Sequence, residues 1–208
     1  MTTNFTITRR TTLAGISAAA AAAVLPRAAA ATSSLFQHGV ASGDPDATSV
    51  VLWTRVNAAA PLAVEWELAA DSKFARIVQR GVVQTGPDRD FTVKALAEGL
   101  TPGGRYYYRF RAMGALSPVG RTRTLPVGKL EQLGIALASC SNFAFGFFNA
   151  YDAIARDPAI DFVLHTGDYI YEYGADSWGG DVAKRIGRVH QPANEIVSLY
   201  DYRTRHAQ

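Results

Sequence analysis

The hydrophobic pattern of this chain changes once, close to residue 130. In residues 35–126, short runs of alternating apolar and polar residues are separated by turn residues. This alternation is typical of strands with one buried and one exposed face. After a polar connection at residues 129–132 the apolar runs become continuous, as in strands buried on both faces of a parallel sheet. The sequence therefore predicts two kinds of architecture, over residues 35–126 and 133–208.

The first region is predicted to be an all-β sandwich of the immunoglobulin or fibronectin-type-III kind, since about seven strand-like runs recur there with turn chemistry between them. In residues 62–69, Val64, Trp66 and Leu68 alternate with glutamates. Residues 105–112 alternate in the same way, and we interpret their aromatic side chains as core rather than as a binding surface.

The second region begins with one predicted βαβ unit. An apolar run at 133–138 stops at Ser139-Cys140, helical spacing follows in residues 147–154, and a second apolar run at 161–166 ends at Gly167-Asp168. We expect both runs to be strands of a parallel sheet. Two parallel strands cannot cover both of their faces, so we expect this chain to be the N-terminal part of a longer protein, with the second domain incomplete.

Three side chains with metal-binding chemistry follow these two strands. Ligands of parallel sheets bind at the carboxyl ends of the strands, where Cys140 and Asp168 stand, and Tyr171 follows three residues after Asp168. A thiolate, a phenolate and a carboxylate able to bridge two ions favour a hard, highly charged ion such as ferric iron. Such an ion lowers the pKa of bound water and supplies hydroxide near neutral pH.

Charge and cysteine content exclude other classes of protein. The formal net charge is +3, but residues 1–31 hold three arginines and no acid, which leaves 18 basic and 18 acidic residues downstream. The remainder is therefore close to neutral, which disfavours binding to a nucleic-acid backbone. The single cysteine excludes an internal disulfide framework and a multi-cysteine zinc site.

The first 31 residues have the layout of an export signal. Arg9 and Arg10 precede an apolar, alanine-rich segment at 13–25, and Arg27 precedes a run of small residues at 28–31. The adjacent arginines resemble a twin-arginine signal, which routes proteins that are already folded. An ordinary secretory signal and an alanine-rich leader are the alternatives. We expect residues 1–31 to be separate from the fold, the twin-arginine export machinery to be a partner, and no membrane anchor to remain after their removal.

Two motifs give the chain a family resemblance. Ala138-Ser139-Cys140-Ser141-Asn142 is followed by a helix and then by the stretch at 161–174, which contains Gly167-Asp168-Tyr169-Ile170-Tyr171-Glu172. Together they resemble the start of the metallophosphatase domain, of the α-β-β-α type, of PhoD-type alkaline phosphatases. The preceding sandwich and the twin-arginine-like leader follow that family's order of parts.

The resemblance implies a function and a set of ligands. Cys140, Asp168 and Tyr171 are the implied ligands of a ferric ion, and Asp168 also bridges to calcium, which makes it the implied catalytic carboxylate. The implied reaction is hydrolysis of phosphate mono- and diesters, outside the cytoplasm, by hydroxide or oxide activated by the metal. The implied protein is secreted or periplasmic.

Four other polar residues are weaker candidates. Asn142, in the loop after Cys140, is a candidate for orienting phosphate or supporting the ligands. His165 lies within an apolar run and is interpreted as a hydrogen-bonded core histidine; a metal ligand, or a residue that supports the ligands or contacts substrate, is the alternative. His190 and His206 are assigned nothing beyond possible contact with phosphate.

Three rival functions remain open. A cysteine-dependent hydrolase would use Cys140 as nucleophile and His165 as base, but leaves Asp168 and Tyr171 unused. A purple-acid-phosphatase-like enzyme also combines a sandwich with a Gly-Asp-x-x-Tyr motif, but has an aspartate at the position of Cys140. The third is a non-enzymatic exported binding module.

Overall fold

The computed structural model describes residues 34–208, so the predicted export signal at 1–31 lies outside the described residues. The described chain is mostly β. Its strands are β1 (Val40–Gly43), β2 (Val50–Arg55), β3 (Leu62–Ala69), β4 (Ile77–Thr85), β5 (Thr92–Ala97), β6 (Arg105–Ala112), β7 (Ala115–Leu116), β8 (Gly120–Arg123), β9 (Ile135–Ala138) and β10 (Phe162–His165). Its α-helices are α1 (Asn149–Arg156), α2 (Gly180–Ile186) and α3 (Leu199–His206).

Strands β1–β8 form two antiparallel sheets that share one hydrophobic core. The first sheet has the order β1-β2-β5, and the second has the order β4-β3-β6-β7 with β8 paired to β6. Both sheets contribute alternate side chains to the core, which includes Val50, Leu52, Val64, Trp66, Leu68, Val93, Ala95, Tyr106, Tyr108 and Phe110. Two sheets that cover each other in this way form a sandwich-like arrangement.

The structure confirms the side chains that the sequence alternation predicted to face this core. Along β6, Tyr106, Tyr108 and Phe110 are buried, while the residues between them are partly or fully exposed. Arg109 on the outer face pairs with Glu67 of the neighbouring strand at 2.7 Å. Tyr106, Tyr108 and Phe110 are therefore core, as predicted.

The predicted βαβ unit is present. Strand β9 pairs with β10 in parallel, from Ile135 opposite Phe162 to Ala138 opposite His165, and α1 connects the two strands. The expectation that both strands are buried on both faces is wrong for the described residues, since the Leu137 side chain is 69% exposed. The physical reason is that this sheet has only two strands within residues 34–208 and that no residue of α1 is buried.

Asp161, just before β10, joins this unit to the antiparallel sheets. Its carboxylate lies 2.7 Å from Nη1 of Arg123 and 3.4 Å from Nη2 of Arg105, and it accepts a hydrogen bond from the backbone N–H of Gly134 at 3.1 Å. The Gly134 N–H bond, followed by the charge of Arg123, lowers the pKa of Asp161. A Cβ at Gly134 would lie 1.7 Å from the carbonyl oxygen of Ala159, so only glycine fits here.

Within residues 34–208, no helix combines the length and the apolar character needed to cross a membrane.

Candidate metal centre

The carboxyl ends of β9 and β10 bring Cys140 and Asp168 together. Because the strands are parallel and in register, the loops that follow them leave the sheet at the same edge. The loops are also bonded to each other: the N–H of Cys140 donates to the Gly167 carbonyl at 3.1 Å, and the N–H of Ser141 donates to the Asp168 carbonyl at 2.8 Å. These backbone bonds extend the strand pairing into the loops and fix the distance between them.

Cys140 and Asp168 both adopt left-handed backbone conformations. Their φ angles are 59° and 51°, a region that residues other than glycine visit rarely because Cβ crowds the backbone. Such conformations persist only where the surrounding structure enforces them, and they concentrate at functional sites. The two loop bonds supply that constraint here.

The side chains of Cys140 and Tyr171 converge on one carboxylate oxygen of Asp168. Sγ of Cys140 lies 3.4 Å from Oδ2 of Asp168, and the hydroxyl of Tyr171 donates a hydrogen bond to the same oxygen at 3.0 Å. The hydrogen bond with Cys140, followed by partial desolvation and by the Asp168 carboxylate, raises the pKa of Tyr171. A raised pKa favours the protonated phenol, which donates to Asp168.

The donor set fits a hard, trivalent ion. A carboxylate and a phenolate are oxygen ligands, and a thiolate adds negative charge, so the deprotonated set carries three negative charges. No group of three histidine, cysteine, aspartate or glutamate side chains suited to a metal occurs in residues 34–208. The phenol of Tyr171 is the third side chain here, beside Cys140 and Asp168, that can bind a metal ion.

His165 lies beside the loop that follows β9, and its ring contacts Ser141 and Tyr151 rather than the three donor groups. Nε2 of His165 lies 3.0 Å from Oγ of Ser141 and 3.2 Å from the hydroxyl of Tyr151, and Ser141 and Tyr151 are also hydrogen-bonded to each other. Nδ1 accepts a hydrogen bond from the N–H of Gly167 at 3.4 Å. The half-buried ring is thus hydrogen-bonded on both nitrogens and ties α1 to both loops of the site.

Asn142 is buried and supports the loop after Cys140. Its Oδ1 accepts a hydrogen bond from the N–H of Ala144 at 3.0 Å and thereby caps the short 3-10 helix Phe143–Phe145. Its Nδ2 has no hydrogen-bond partner among the described residues. This geometry gives Asn142 a structural contact near the site and no contact with the three donors.

Tyr169, His190 and His206 lie near the three donor groups but differ in how far they are buried. Tyr169 is exposed and packs edge-on against His165. His190 is buried against Phe143, and burial followed by the charge of Arg205 lowers the pKa of its ring. His190 and His206 line a cleft of about 240 Å³ that Tyr171 borders.

Sequence reasoning missed Arg205, which holds the backbone of Tyr171. The residue is 5% exposed, and its guanidinium donates to the carbonyl of Tyr171 at 2.6 Å and to the carbonyls of Gln191 and Pro192 at 2.9 and 3.1 Å. The capping box of Ser198 and Asp201 marks the start of α3. Nothing in the sequence indicates that a guanidinium in its last turn points inward.

Comparison with known proteins gives a consistent picture. Residues 18–126 match the family profile described as "PhoD-like phosphatase, N-terminal domain", and residues 135–208 match that described as "PhoD-like phosphatase". The chain is 43% identical to alkaline phosphatase D of Bacillus subtilis (strain 168) over 185 residues, which cover 83% of the chain and 31% of the relative.

A solved structure titled "Structure of PhoD" superposes with a TM-score of 0.76 at 42% sequence identity. The match covers 86% of this chain and 36% of that one. The chain therefore spans about a third of the length of these relatives.

Proposed function

We propose that this chain, which belongs to the PhoD-like phosphatase family, holds a ferric ion through Cys140, Asp168 and Tyr171 and acts in an exported phosphoesterase. The proposed substrates are phosphate mono- and diesters. The proposed second ion is calcium, bridged by Asp168.

The convergence of Cys140 and Tyr171 on Oδ2 of Asp168 carries this proposal. A thiol and a phenol that both approach one carboxylate oxygen, at 3.4 and 3.0 Å, form a set whose two protons a metal ion can replace. Within residues 34–208, no hydrogen bond to the other carboxylate oxygen, Oδ1, is observed. That oxygen is free to face a second ion, as a bridging role for Asp168 requires.

The chemistry divides between the ion and the protein. A bound ferric ion would lower the pKa of a coordinated water and polarise a phosphoryl oxygen. Cys140 and Tyr171 would supply negative charge to a ferric ion, and Asp168 would be shared between that ion and calcium. The loop bonds from Cys140 to Gly167 and from Ser141 to Asp168 keep these ligands in place before metal arrives. His165 positions the Cys140 loop through Ser141, because its ring joins that serine to Tyr151.

We also propose how the remaining parts serve this function. Residues 35–126 form a fibronectin-type-III-like domain, and residues 133–208 belong to an α/β metallophosphatase domain. Arginines of the antiparallel sheets hold Asp161 at the base of β10, so the first part fixes the orientation of the strand that leads to Asp168. Residues 1–31 direct export through the twin-arginine machinery to the periplasm or the medium, after folding and metal loading.

The experiment that tests this function is metal removal and restoration. The full-length product of the gene that carries this chain is assayed with a chromogenic phosphodiester and a phosphomonoester, before and after chelation. We expect activity to disappear with chelation and to return only when iron and calcium are both added. A folded product that is inactive with every metal would support the binding-module alternative.

A cysteine-dependent hydrolase is less well supported by the geometry. His165 is the base that such an enzyme would need, and its two ring nitrogens contact Ser141, Tyr151 and Gly167. The side chain of Cys140 instead contacts Asp168 and Tyr171. Chelation separates the two functions, since a thiol nucleophile stays active in metal-free protein whereas the proposed metal centre does not.

A further inference from the structure

One ring nitrogen of His38 lies between a hydrogen-bond donor and a hydrogen-bond acceptor. His38 follows the 3-10 helix Ser34–Phe36, and its half-buried ring faces Arg55 at the end of β2. Nη1 of Arg55 lies 2.6 Å from Nε2 of His38, and Oδ1 of Asn57 lies 3.0 Å from the same nitrogen. A guanidinium can only donate and an amide oxygen can only accept, so the two neighbours make opposite demands on Nε2.

The two contacts of Nε2 exclude each other. If Nε2 carries no hydrogen, it accepts a bond from Arg55, while its lone pair faces the amide oxygen of Asn57. If Nε2 carries a hydrogen, it donates to Asn57, while its N–H faces the guanidinium. The Asn57 amide keeps its orientation in both cases, because its Nδ2 donates to the Ser34 carbonyl at 3.0 Å. The His38 ring therefore has two alternative hydrogen-bonding states.

The position of Arg55 favours the state without a hydrogen on Nε2. Nε and Nη2 of Arg55 bind the two carboxylate oxygens of Asp90 at 3.1 and 3.0 Å, which fixes the guanidinium and leaves Nη1 directed at His38. The amide nitrogen of Gln37, a second donor, lies 3.3 Å from the same ring nitrogen. Two donors against one acceptor indicate a neutral ring with its hydrogen on Nδ1.

The charges around His38 act in opposite directions. Burial, followed by the positive charge of Arg55, lowers the pKa of His38, whereas the hydrogen bond with Asn57 and the Asp90 carboxylate raise it by less. Asp90 also acts on His206 of α3, where it opposes the larger effect of burial, which lowers the pKa of that ring. The neutral form of His38 is therefore the form that the folded sheet favours.

The same polar contacts attach the first described residues to the sheet. The backbone N–H of Asn57 donates to the Leu35 carbonyl at 2.9 Å, and its side chain donates to the Ser34 carbonyl. Between these residues and His38, the Phe36 side chain is fully buried in the sandwich-like core. Asn57 thus links the His38 ring to the segment at residues 34–39, and opening of that segment would uncover part of the core.

We propose that protonation of His38 weakens the attachment of residues 34–39 to the first antiparallel sheet. A proton added to Nε2 removes the acceptor of Arg55 Nη1 and places two positive groups at a separation of 2.6 Å. The ring and the guanidinium then move apart, and the segment opens more often. The contacts involved all lie within β2, β5 and the residues next to them, so this inference is independent of the proposed metal centre and its function.

The pH range of the effect follows from the direction of the pKa shift. The pKa of His38 in the folded protein is lower than the value of about 6.5 in the unfolded chain. The neutral ring therefore contributes its full stability above about pH 6.5, and this contribution is lost as pH falls from there through the folded pKa. Across that range the opening equilibrium should rise by up to about tenfold per pH unit.

Amide hydrogen exchange in the full-length gene product tests the opening of the segment. The reporter is the backbone N–H of Asn57, whose bond to Leu35 breaks when the segment opens. After correction for intrinsic exchange, we expect its protection to fall about three- to tenfold between pH 7.5 and pH 5. His38→Gln should remove this pH dependence. His206→Gln is the matched control and should retain it. Equal pH dependence in the parent and in His38→Gln would overturn the proposal.

A second measurement uses the parent protein and needs no variant to fold. Nitrogen NMR of the full-length product with labelled histidine should show the hydrogen of neutral His38 on Nδ1 and a pKa below about 6.5. Arg55→Gln should raise the pKa of His38, because the neighbouring positive charge is removed while Asp90 remains. A hydrogen on Nε2 of the neutral ring, or a pKa at or above that of an unperturbed histidine, would contradict the proposal.

Discussion

Sγ of Cys140 lies 3.4 Å from Oδ2 of Asp168, although 28 residues separate them along the chain. The parallel pairing of β9 with β10 produces this contact, because register between the strands carries over into the loops at their ends. The hydroxyl of Tyr171 completes the group at 3.0 Å. Each of the following predictions depends on one contact in or near this arrangement.

Asp168→Ala should lower iron content and phosphoesterase activity together. The substitution removes the oxygen on which the other two donors converge, and even residues that only support ligands change affinity or activity roughly 10–100-fold. We therefore expect a loss of at least about a hundredfold in activity. Metal analysis and phosphodiester assays of the full-length product measure both quantities. Asp152→Ala, which removes an exposed carboxylate of α1 paired with Arg156, is the control; normal iron with full turnover in Asp168→Ala would refute the assignment.

Tyr171→Phe should abolish the visible absorption band that ferric iron gives when it is bound to tyrosinate. Phenylalanine keeps the ring that stacks on Tyr173 but removes the oxygen that contacts Asp168. The measurement is an absorption spectrum of the full chain during titration with ferric iron. Tyr173→Phe, in which the neighbouring stacked ring loses its hydroxyl, should keep the band. A band that survives Tyr171→Phe would mean that another tyrosine is the ligand.

Asp161→Asn should destabilise the chain in a pH-dependent way. The folded state lowers the pKa of Asp161, so its carboxylate contributes stability above the unfolded pKa of about 3.9, and that contribution is lost as pH falls through the folded pKa. We expect a loss of about 1–2 kcal/mol in the free energy of unfolding at pH 7, since hydrogen bonds to a charged group are broken. Urea unfolding at pH 7 and pH 3.5 should show the difference between parent and variant shrinking at low pH. A difference that is constant with pH, or equal to that of Asp152→Asn, would contradict this role.

The sequence predicted those features that depend on local periodicity. Alternation identified Tyr106, Tyr108 and Phe110 as core, and the ends of two apolar runs identified Cys140 and Asp168 as neighbours. The prediction that β9 and β10 are buried on both faces was wrong. An apolar run shows which side chains a strand can bury, but not whether another layer of the structure covers them. The exposed Leu137 side chain is an example.

Contacts made by long side chains across the fold were not predictable. Arg105 and Arg123 face Asp161 because β6 and β8 pair in register, with Arg105 opposite Arg123. Like charges directly opposite each other on neighbouring strands are destabilising, and the Asp161 carboxylate offsets this repulsion. The sequence alone does not show that these two arginines are paired. The contact between the rings of Trp178 and Phe145 depends on the path of the loop at residues 174–179, which no periodicity in the sequence encodes.

Arg205→Met should weaken iron binding although residue 205 contacts none of the three donor atoms. The guanidinium donates to the carbonyl of Tyr171 at 2.6 Å, so its removal frees the backbone that carries the ligand. Methionine retains much of the side-chain volume, and Arg205→Lys tests whether charge alone suffices, since an ammonium lacks the fork that bonds three carbonyls.

We expect a roughly 10–100-fold fall in affinity for ferric iron in both Arg205 variants, together with a shift of the tyrosinate band. Spectral titration of the full chain measures both quantities. Arg203→Met, which removes an exposed contact of 3.5 Å with the Asp88 carbonyl, is the control. A merely structural role for Arg205 would lower the unfolding midpoint and leave the band of the folded protein in place. A displaced band shows instead that Arg205 positions Tyr171, because the energy of that band depends on the geometry at the phenolate.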